Sequence, residues 1–294
     1  MCHAPDTLAR MTHFPPDWLR PQWPAPAHVH ALCTTRTGGH SQPPYDHMNL
    51  GDHVGDDPHA VAANRGVLQA ALQSVTPQAQ AVFLQQVHGT QVVVLEPGTA
   101  DGVVADACVS TQPGLACTIM VADCLPVLLT DGAGTVVAAA HAGWRGLAGQ
   151  GGVGVLEAVF ERFSALRHVY QAQAAIKNIA NEGAGACASQ TLAWLGPCIE
   201  PQAFEVGAEV RAAFCAHNPA AAPYFQPHGA GKYLADLAGL ARQRLQALGI
   251  KHIYGNDSSA AWCTVAQGSR FFSHRRDSAA LGGSGRMAAC IWLG

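Results

Sequence analysis

The sequence predicts a single domain in which helices cover both faces of a β-sheet core. From Ala81 onward, short segments rich in apolar and β-branched residues follow one another, each bounded by Gly, Pro or Asp. Two of these segments, LACTIMV and TVVAAAH, are continuous apolar runs, which are typical of strands covered on both faces. Segments with helical spacing lie before and after this β-rich region, and no linker divides them. We therefore expect one domain.

The composition predicts a cytoplasmic protein that binds neither membranes nor nucleic acid. Of the 294 residues, 49% are hydrophobic and 13% are charged, which is enough apolar material for one large core. Residues 1–20 include Asp6, Arg10 and Asp17 and do not resemble a secretory signal. Apolar runs such as residues 115–122 are too short to span a bilayer. The ten cysteines are expected to be reduced thiols, since they are scattered through a long chain.

The charge pattern excludes a basic surface of the kind that neutralises phosphate backbones. The formal net charge is −3, and no basic run is longer than Arg275 and Arg276.

The first third of the chain predicts a lead-in, a loop and a helix. Residues 1–30 are rich in proline and form an irregular lead-in to a domain that spans residues 31–294. Residues 31–35 predict a short strand within a Gly- and Pro-rich segment, 31–55, and a long ordered loop of this kind is usually functional. Asp57 followed by Pro58 predicts a helix N-terminus, and apolar residues recur at helical spacing to about Ser74.

The remaining elements follow from the same patterns. The β-rich region predicts strands at 81–87, 91–95, 102–110, 115–121, 126–130 and 135–141. A helix is expected at 153–166, followed by a surface insertion at 167–190 that has no clear period. Later segments predict a strand at 191–199, helices at 203–217 and 233–248, and strands at 270–275 and 286–293.

Three polar residues at the ends of apolar runs are candidates for a site. One predicted strand ends in QQVHG, which contains His88. A second ends in VADC with Cys124, and a third ends in VVAAAH with His141. Because strand ends converge in sheet proteins, these side chains are expected to meet. Two histidines and one thiolate are a known combination of zinc ligands, which leaves the fourth coordination position for water, as in catalytic zinc sites.

The residues alone leave two other interpretations open. Cys124 is also a candidate nucleophile with His141 as its base. A buried thiol and a hydrogen-bonded imidazole without catalytic function are equally compatible with the spacing.

A series of ordered motifs resembles a known family. The motifs are TTRTGG, NLGDHVGDD, NR, QQVHG, ADACVS, ADCLPVLL, HAGWRG, LGPCIEPQAFEVG, DL, CT, SHRRD and GR. Together they closely resemble the laccase-domain proteins, once described as multicopper polyphenol oxidases and now regarded as purine nucleoside phosphorylases with adenosine deaminase activity. The resemblance covers nearly the whole chain, from about Leu32 to Leu293.

The resemblance implies both a fold and a cofactor. The fold is an α+β domain with a mixed β-sheet core flanked by helices, distantly like a bacterial cytotoxic necrotizing factor. In this family the residues that correspond to His88, Cys124 and His141 bind zinc, and the same ligand set also suits copper. The tail departs from the usual SYRRD and TGR pattern, since this chain has SHRRD and SGR.

The implied reactions require further residues. Adenosine, inosine and methylthioadenosine are the implied nucleosides, with phosphate as co-substrate. Candidate ligands for phosphate are Arg36, His53, Arg65 and Arg145, because a planar guanidinium donates hydrogen bonds in pairs. Asn49 and Gln86 are candidates for sugar or base. Asp123 is a candidate proton carrier for deamination, or else it orients a zinc ligand, and Trp144 either stacks on a purine or packs in the core.

Two further functions compete with this prediction. One is a Cys–His hydrolase or an editing factor for peptidoglycan precursors. The other is a copper polyphenol oxidase, which is poorly supported because the only H-x-H pair, His28 and His30, lies in the lead-in.

Overall fold

Two mixed β-sheets packed face to face form the centre of the protein, and helices cover the outer face of each sheet. The computed structural model describes residues 14–176 and 190–294. The prediction of a mixed β-core flanked by helices is confirmed.

The first sheet has five strands. In spatial order they are β1 (Val29–Cys33), β14 (Met287–Leu293), β6 (Leu115–Val121), β2 (Gln80–Gln85) and β4 (Val103–Val104). β1, β14 and β6 are antiparallel neighbours, whereas β6, β2 and β4 run parallel.

The second sheet has six strands, and a third sheet is small. The six are β13 (His252–Gly255), β9 (Thr191–Leu195), β7 (Leu125–Asp131), β8 (Val137–Ala142), β5 (Ala107–Ser110) and β3 (Val92–Val94). The third sheet comprises β10 (Glu205–Val206), β12 (Tyr233–Ala235) and β11 (Phe225–Pro227).

The described residues contain six α-helices. They are α1 (Pro58–Val75), α2 (Trp144–Ala148), α3 (Val155–Ile176), α4 (Ala208–Cys215), α5 (Leu237–Ala247) and α6 (His274–Leu281). None of the helices in the described ranges is long and apolar enough to cross a membrane.

Strand β6 shows why the apolar runs are continuous. Cys117, Ile119 and Val121 face the core between the two sheets, while Ala116 and Met120 face the core under α1. Because successive side chains point to opposite faces, a strand between two apolar layers needs apolar residues at every position. This confirms that LACTIMV is a strand covered on both faces.

The start of α1 also agrees with the sequence pattern. Asp57 is the N-cap, and its carboxylate accepts a hydrogen bond from the backbone N–H of His59 at 3.0 Å. The helix ends at Val75, one residue beyond the expected position.

The chain crosses between the two large sheets at two places that matter for the site. β4 lies in the first sheet and β5 in the second, and Ala105 and Asp106 connect them. The predicted single strand 102–110 is therefore wrong, because it is divided between the two sheets. β6 and β7 are divided in the same way, with Ala122, Asp123 and Cys124 between them.

Three later predictions need correction. Residues 270–275 are not a strand: Phe271 and Phe272 are buried in an irregular segment, and Ser273 caps α6 by accepting a hydrogen bond from the N–H of Arg276. The expected helix 233–248 begins only at Leu237, after β12, and the expected helix 203–217 is shortened to α4 by β10. In the two helical cases, tertiary pairing takes residues with helical spacing into the strands β10 and β12.

The lead-in and the expected insertion lie partly outside the described residues. Residues 1–13 and 177–189 are not described, while residues 167–176 continue α3. Within the lead-in, Trp18 is buried and Leu19 pairs with Cys33 in an isolated bridge.

Candidate metal centre and its cavity

The two sheets bring His88, Cys124 and His141 together, and we call these residues the ligand trio. His88 follows β2 of the first sheet, Cys124 lies on the crossing from β6 to β7, and His141 is in β8 of the second sheet. One ligand atom from each lies within 4.8 Å of the others. The structure thus assembles at one end of the inter-sheet core the three residues that the sequence placed at strand ends.

A buried aspartate that the sequence analysis missed orients both histidines. Asp106 Oδ1 accepts a hydrogen bond from His141 Nδ1 at 2.8 Å, which leaves Nε2 of that ring for another partner. The same carboxylate accepts from the backbone N–H groups of Val87, His88 and Gly89. Asp106 therefore fixes both the loop that carries His88 and the ring of His141.

Two glycines of HAGWRG allow the approach of these elements. A Cβ on Gly143 would lie 2.7 Å from His88 Cδ2 and 3.0 Å from Cys124 Sγ. A Cβ on Gly146 would lie 2.6 Å from the carbonyl oxygen of Gly89. A larger residue at either position would push the start of α2 away from the ligand trio.

The protonation of the ligand trio is strongly perturbed. Burial acts to raise the pKa of the Cys124 thiol, but the charges and hydrogen bonds of His141 and His88 outweigh it and lower this pKa to about 6. For His141, burial acts to lower the pKa, whereas the Cys124 thiolate and Asp106 raise it to about 9. Burial also opposes the ionisation of Asp106, yet hydrogen bonds from His141 and the 87–89 loop hold its pKa below the usual value.

The donor set fits a transition-metal ion. A thiolate and two imidazole nitrogens are the ligands that zinc and copper prefer, and Asp106 supplies the carboxylate that commonly fixes a metal-bound histidine. His88 is exposed and Cys124 is half-buried, so the trio borders solvent on one side. This is the arrangement of an open site rather than a closed structural one.

A cavity of about 520 Å³ opens over the ligand trio. Its apolar lining includes Met120, Ile199, Phe204 and Leu237, and Asp123 is the only carboxylate among its lining residues. Apart from the trio, the histidines and arginines that line it are His53, Arg145, His274, Arg275 and Arg286. A cavity of this size, with both apolar and cationic walls, suits small molecules of which at least one is an anion.

Three of the predicted substrate residues line this cavity. His53 lies on the long loop before α1, and Arg145 lies at the start of α2 with its guanidinium over the Trp144 ring at 4.4 Å. Trp144 is half-buried, borders the cavity and also packs against the outer core. Gln86 borders the cavity too, but its amide is paired in both directions with the backbone of Met120 at 2.8 Å.

The other three predicted substrate residues lie away from this cavity. Arg36 pairs with Asp46 at 3.2 Å and donates to the carbonyl oxygen of Gly268. Arg65 pairs with Asp52 at 3.1 Å and lies over the Phe83 ring, on the wall of a neighbouring cavity that shares His53 and Gln86.

Asn49 is fully buried and acts within the protein. Its Oδ1 accepts hydrogen bonds from the backbone N–H groups of Gly51 and Arg286, and its Nδ2 donates to Asp56. Through Asn49, the long loop is hydrogen-bonded to the residue before β14, Arg286, whose side chain lines the cavity.

Asp123 occupies a strained position on the crossing between β6 and β7. Its φ is 87°, and the two carboxylate oxygens accept hydrogen bonds from Thr264 Oγ1 and from the backbone N–H of Arg275, each at 2.6 Å. The Arg275 side chain in turn donates to the carbonyl oxygens of Ala203 and Glu205, on either side of Phe204. Asp123 therefore ties α6 and the Phe204 loop to the site.

Sequence patterns gave weak signals for the residues that were missed. Asp106 lies inside an apparent strand, and only its position at a change of sheet distinguishes it. Arg286 lies in the SGR motif, next to the apolar run of β14. Phe204 was part of a segment with helical spacing.

The described part of the chain holds one His, Cys, Asp or Glu group of metal-site geometry, namely the ligand trio. The H-x-H pair is used elsewhere: His28 Nε2 lies 3.0 Å from the carbonyl oxygen of Gly134, and the His30 ring packs on Trp292.

This chain belongs to the family described as multi-copper polyphenol oxidoreductase laccase, whose model matches residues 30–294. Among its relatives, purine nucleoside phosphorylase PA4543 of Pseudomonas aeruginosa is 45% identical over 277 residues, covering 94% of this chain and 98% of that protein. Purine nucleoside phosphorylase YfiH of Escherichia coli is 46% identical over 273 residues, covering 93% and 97%.

Solved structures share the fold. The crystal structure of Neisseria meningitidis protein NMB0706 has a TM-score of 0.77 and 43% identity, covering 94% of this chain and 99% of that one. The hypothetical protein YfiH of Bacillus licheniformis has a TM-score of 0.73 and 27% identity, covering 90% and 93%.

Proposed function

We propose that this protein is a zinc-dependent purine nucleoside phosphorylase that acts on adenosine, inosine and methylthioadenosine and also deaminates adenosine. The observation that carries the proposal is the ligand trio under a cavity with apolar walls and several cations. The names of the relatives support the phosphorylase part of the proposal, since several are called purine nucleoside phosphorylases.

The phosphorolysis that we propose exchanges one bond at the sugar. A phosphate oxygen forms a bond to the anomeric carbon, the bond from that carbon to the purine nitrogen breaks, and the purine takes the electron pair and a proton. The cations of the cavity bind phosphate, and apolar side chains such as Phe204 and Ile199 contact the base. The proton that the purine takes is the one that hydrogen phosphate releases when its oxygen bonds to the sugar. His141 does not supply it, because its Nδ1 donates to Asp106 and its Nε2 must be free of a proton to bind a metal ion.

Zinc is proposed as the resident ion of the ligand trio. When bound, it would supply Lewis acidity at the open side of the trio. In the deamination that we propose, water replaces the amino group of adenosine and ammonia leaves. We assign Asp123 to positioning rather than to proton transfer, because both of its oxygens already accept short hydrogen bonds.

The test is a product assay with adenosine in the presence and absence of phosphate. We expect adenine and ribose 1-phosphate only with phosphate, and inosine under both conditions. In the same assay with phosphate, inosine is expected to give hypoxanthine and methylthioadenosine is expected to give adenine. Absence of all these products from zinc-loaded protein would contradict the proposal.

A second candidate function is a Cys–His hydrolase, and one observation favours it. His141 lies between Asp106 and Cys124, in the order of a carboxylate, an imidazole and a thiol. Metal analysis separates the two functions. We expect one zinc per chain in the wild type and none in Cys124→Ala, whereas a metal-free protein with full activity would favour the hydrolase.

Copper is the alternative ion for the trio, and metal analysis after expression with both metals tests which one is retained. We also propose a cytoplasmic location, because the eight described cysteines are all free thiols.

A further inference from the structure

Arg286 is a cavity cation without an acidic partner. Its Nη1 donates to the carbonyl oxygens of Ser284 and Gly285, at 2.9 and 3.1 Å. No carboxylate of the described residues lies within 4.0 Å of this guanidinium. The guanidinium groups of Arg36 and Arg65, in contrast, each pair with an aspartate. The negative charges of Cys124 and Asp123 act on it from a greater distance. Its Nε and Nη2 have no hydrogen-bond partner among the described residues, so they are available to an anionic ligand.

The long loop builds the position of this side chain. Leu50 N–H donates to the carbonyl oxygen of Arg286, and Asn49 accepts from its N–H, so both backbone groups are fixed. A Cβ on Gly51 would lie 2.8 Å from Arg286 Cγ, so the arginine stem lies directly across this glycine. The guanidinium is thus held at the cavity wall before any ligand arrives.

The groups around Arg286 indicate that its partner is a bound phosphate and not a carboxylate side chain of the protein. His53 lies on the same loop and lines the same cavity, where burial and the positive charge of Arg286 lower its pKa. Its Nδ1 lies 3.5 Å from Oδ1 of the exposed Asp52, and its Nε2 has no hydrogen-bond partner among the described residues. Two adjacent nitrogen-rich side chains offer several N–H donors, which is what phosphate oxygens require.

We propose that Arg286, assisted by His53, binds the phosphate co-substrate beside the ligand trio. This inference rests on the proposed phosphorylase function. Among the sequence-based candidates for phosphate, it keeps His53 and sets aside Arg36 and Arg65, because those two arginines are paired with aspartates. Arg275 is excluded from the role because its side chain is bound to the loop around Phe204.

The test compares Arg286→Gln, Arg286→Lys and a control, Arg211→Gln, in zinc-loaded protein. Arg211 lies on α4 outside the cavity lining, with its guanidinium over the Tyr233 ring. Titration calorimetry with inorganic phosphate measures binding without catalysis, and steady-state assays measure KM for phosphate and for inosine separately.

We expect Arg286→Gln to weaken phosphate binding and to raise KM for phosphate by about tenfold or more, because charge-assisted hydrogen bonds are lost. Zinc content and KM for inosine should stay close to wild type. Arg286→Lys should recover part of the affinity, since it keeps the charge and loses the planar fork. The control should bind phosphate as the wild type does.

The outcomes separate the two proposals. Phosphate binding that depends on Arg286 in a protein without phosphorolysis would support the site and overturn the proposed function. Unchanged phosphate binding and KM in folded, zinc-loaded Arg286→Gln would overturn the site, whatever the activity.

Discussion

Asp106 contacts both histidines of the ligand trio, although nothing in its sequence surroundings marks it. It hydrogen-bonds to the His141 ring and to three backbone N–H groups around His88. A carboxylate in this position fixes the tautomer and the direction of a metal-binding histidine. The geometry of the site therefore depends on a residue that is not a ligand.

We expect Asp106→Asn to lower zinc affinity by about 10- to 100-fold. The asparagine has no negative charge and only one oxygen to accept hydrogen bonds from the His141 ring and the three backbone N–H groups. Competition with a chromogenic chelator measures this affinity. Asp131→Asn is a matched control, since Asp131 is also buried and accepts backbone hydrogen bonds, but at the opposite end of β7. Equal zinc affinity in the wild type and Asp106→Asn would refute the role.

The thiol of Cys124 should react with iodoacetamide at an unusually low pH in the metal-free protein. The histidines outweigh the effect of burial and lower its pKa to about 6, so the thiolate is present above that pH and is lost below it. The alkylation rate should thus rise through about pH 6 and level off, where an ordinary thiol would still be rising toward pH 9. Mass spectrometry locates the modification, Cys124→Ser is the control, and a midpoint near 9 would contradict the expectation.

At the scale of elements, the two crossings between the sheets decide where the chemistry lies. One crossing carries Asp106 and the other carries Asp123 and Cys124. Apolar periodicity predicted the strands on either side, because a strand between two apolar layers has a distinct pattern. It could not show that residues 102–110 change sheet, since that depends on which distant strands pair with β4 and β5.

The same limit applied to the candidate residues. The ligand trio was predictable because its members end apolar runs, whereas the zinc that we propose for it rests on the family resemblance. Arg36 and Arg65 carried the right functional group, but their aspartate partners are brought to them by the folded loop. Arg286 and Phe204 reach the cavity only through contacts made by the long loop and by Arg275.

Asp123→Asn should destabilise the attachment of α6. Asparagine tolerates the left-handed backbone at this position, so the substitution mainly removes the charge and one of the two acceptors. We expect the free energy of unfolding to fall by about 2 kcal/mol, as for the loss of a hydrogen bond to a charged group. Urea unfolding measures the change, and hydrogen exchange should increase within α6. A large loss of deamination with unchanged stability would instead indicate that Asp123 carries a proton.

At the scale of the whole molecule, the ligand trio joins the two large sheets. His88 follows a strand of the first sheet, His141 belongs to the second, and Cys124 lies on the chain between them. A metal ion bound by all three would therefore hold the sheets together at the end of their shared core.

Zinc should consequently raise the stability of the entire domain. A ligand that binds only the folded state stabilises it in proportion to the logarithm of its concentration over Kd, about 2.7 kcal/mol at 100 times Kd. Thermal unfolding with increasing free zinc should show one transition that moves to higher temperature. Cys124→Ser should lose most of this response, while Cys215→Ser, which removes a half-buried thiol on α4, should keep it. A zinc response of the same size in Cys124→Ser would mean that zinc stabilises the fold from another site.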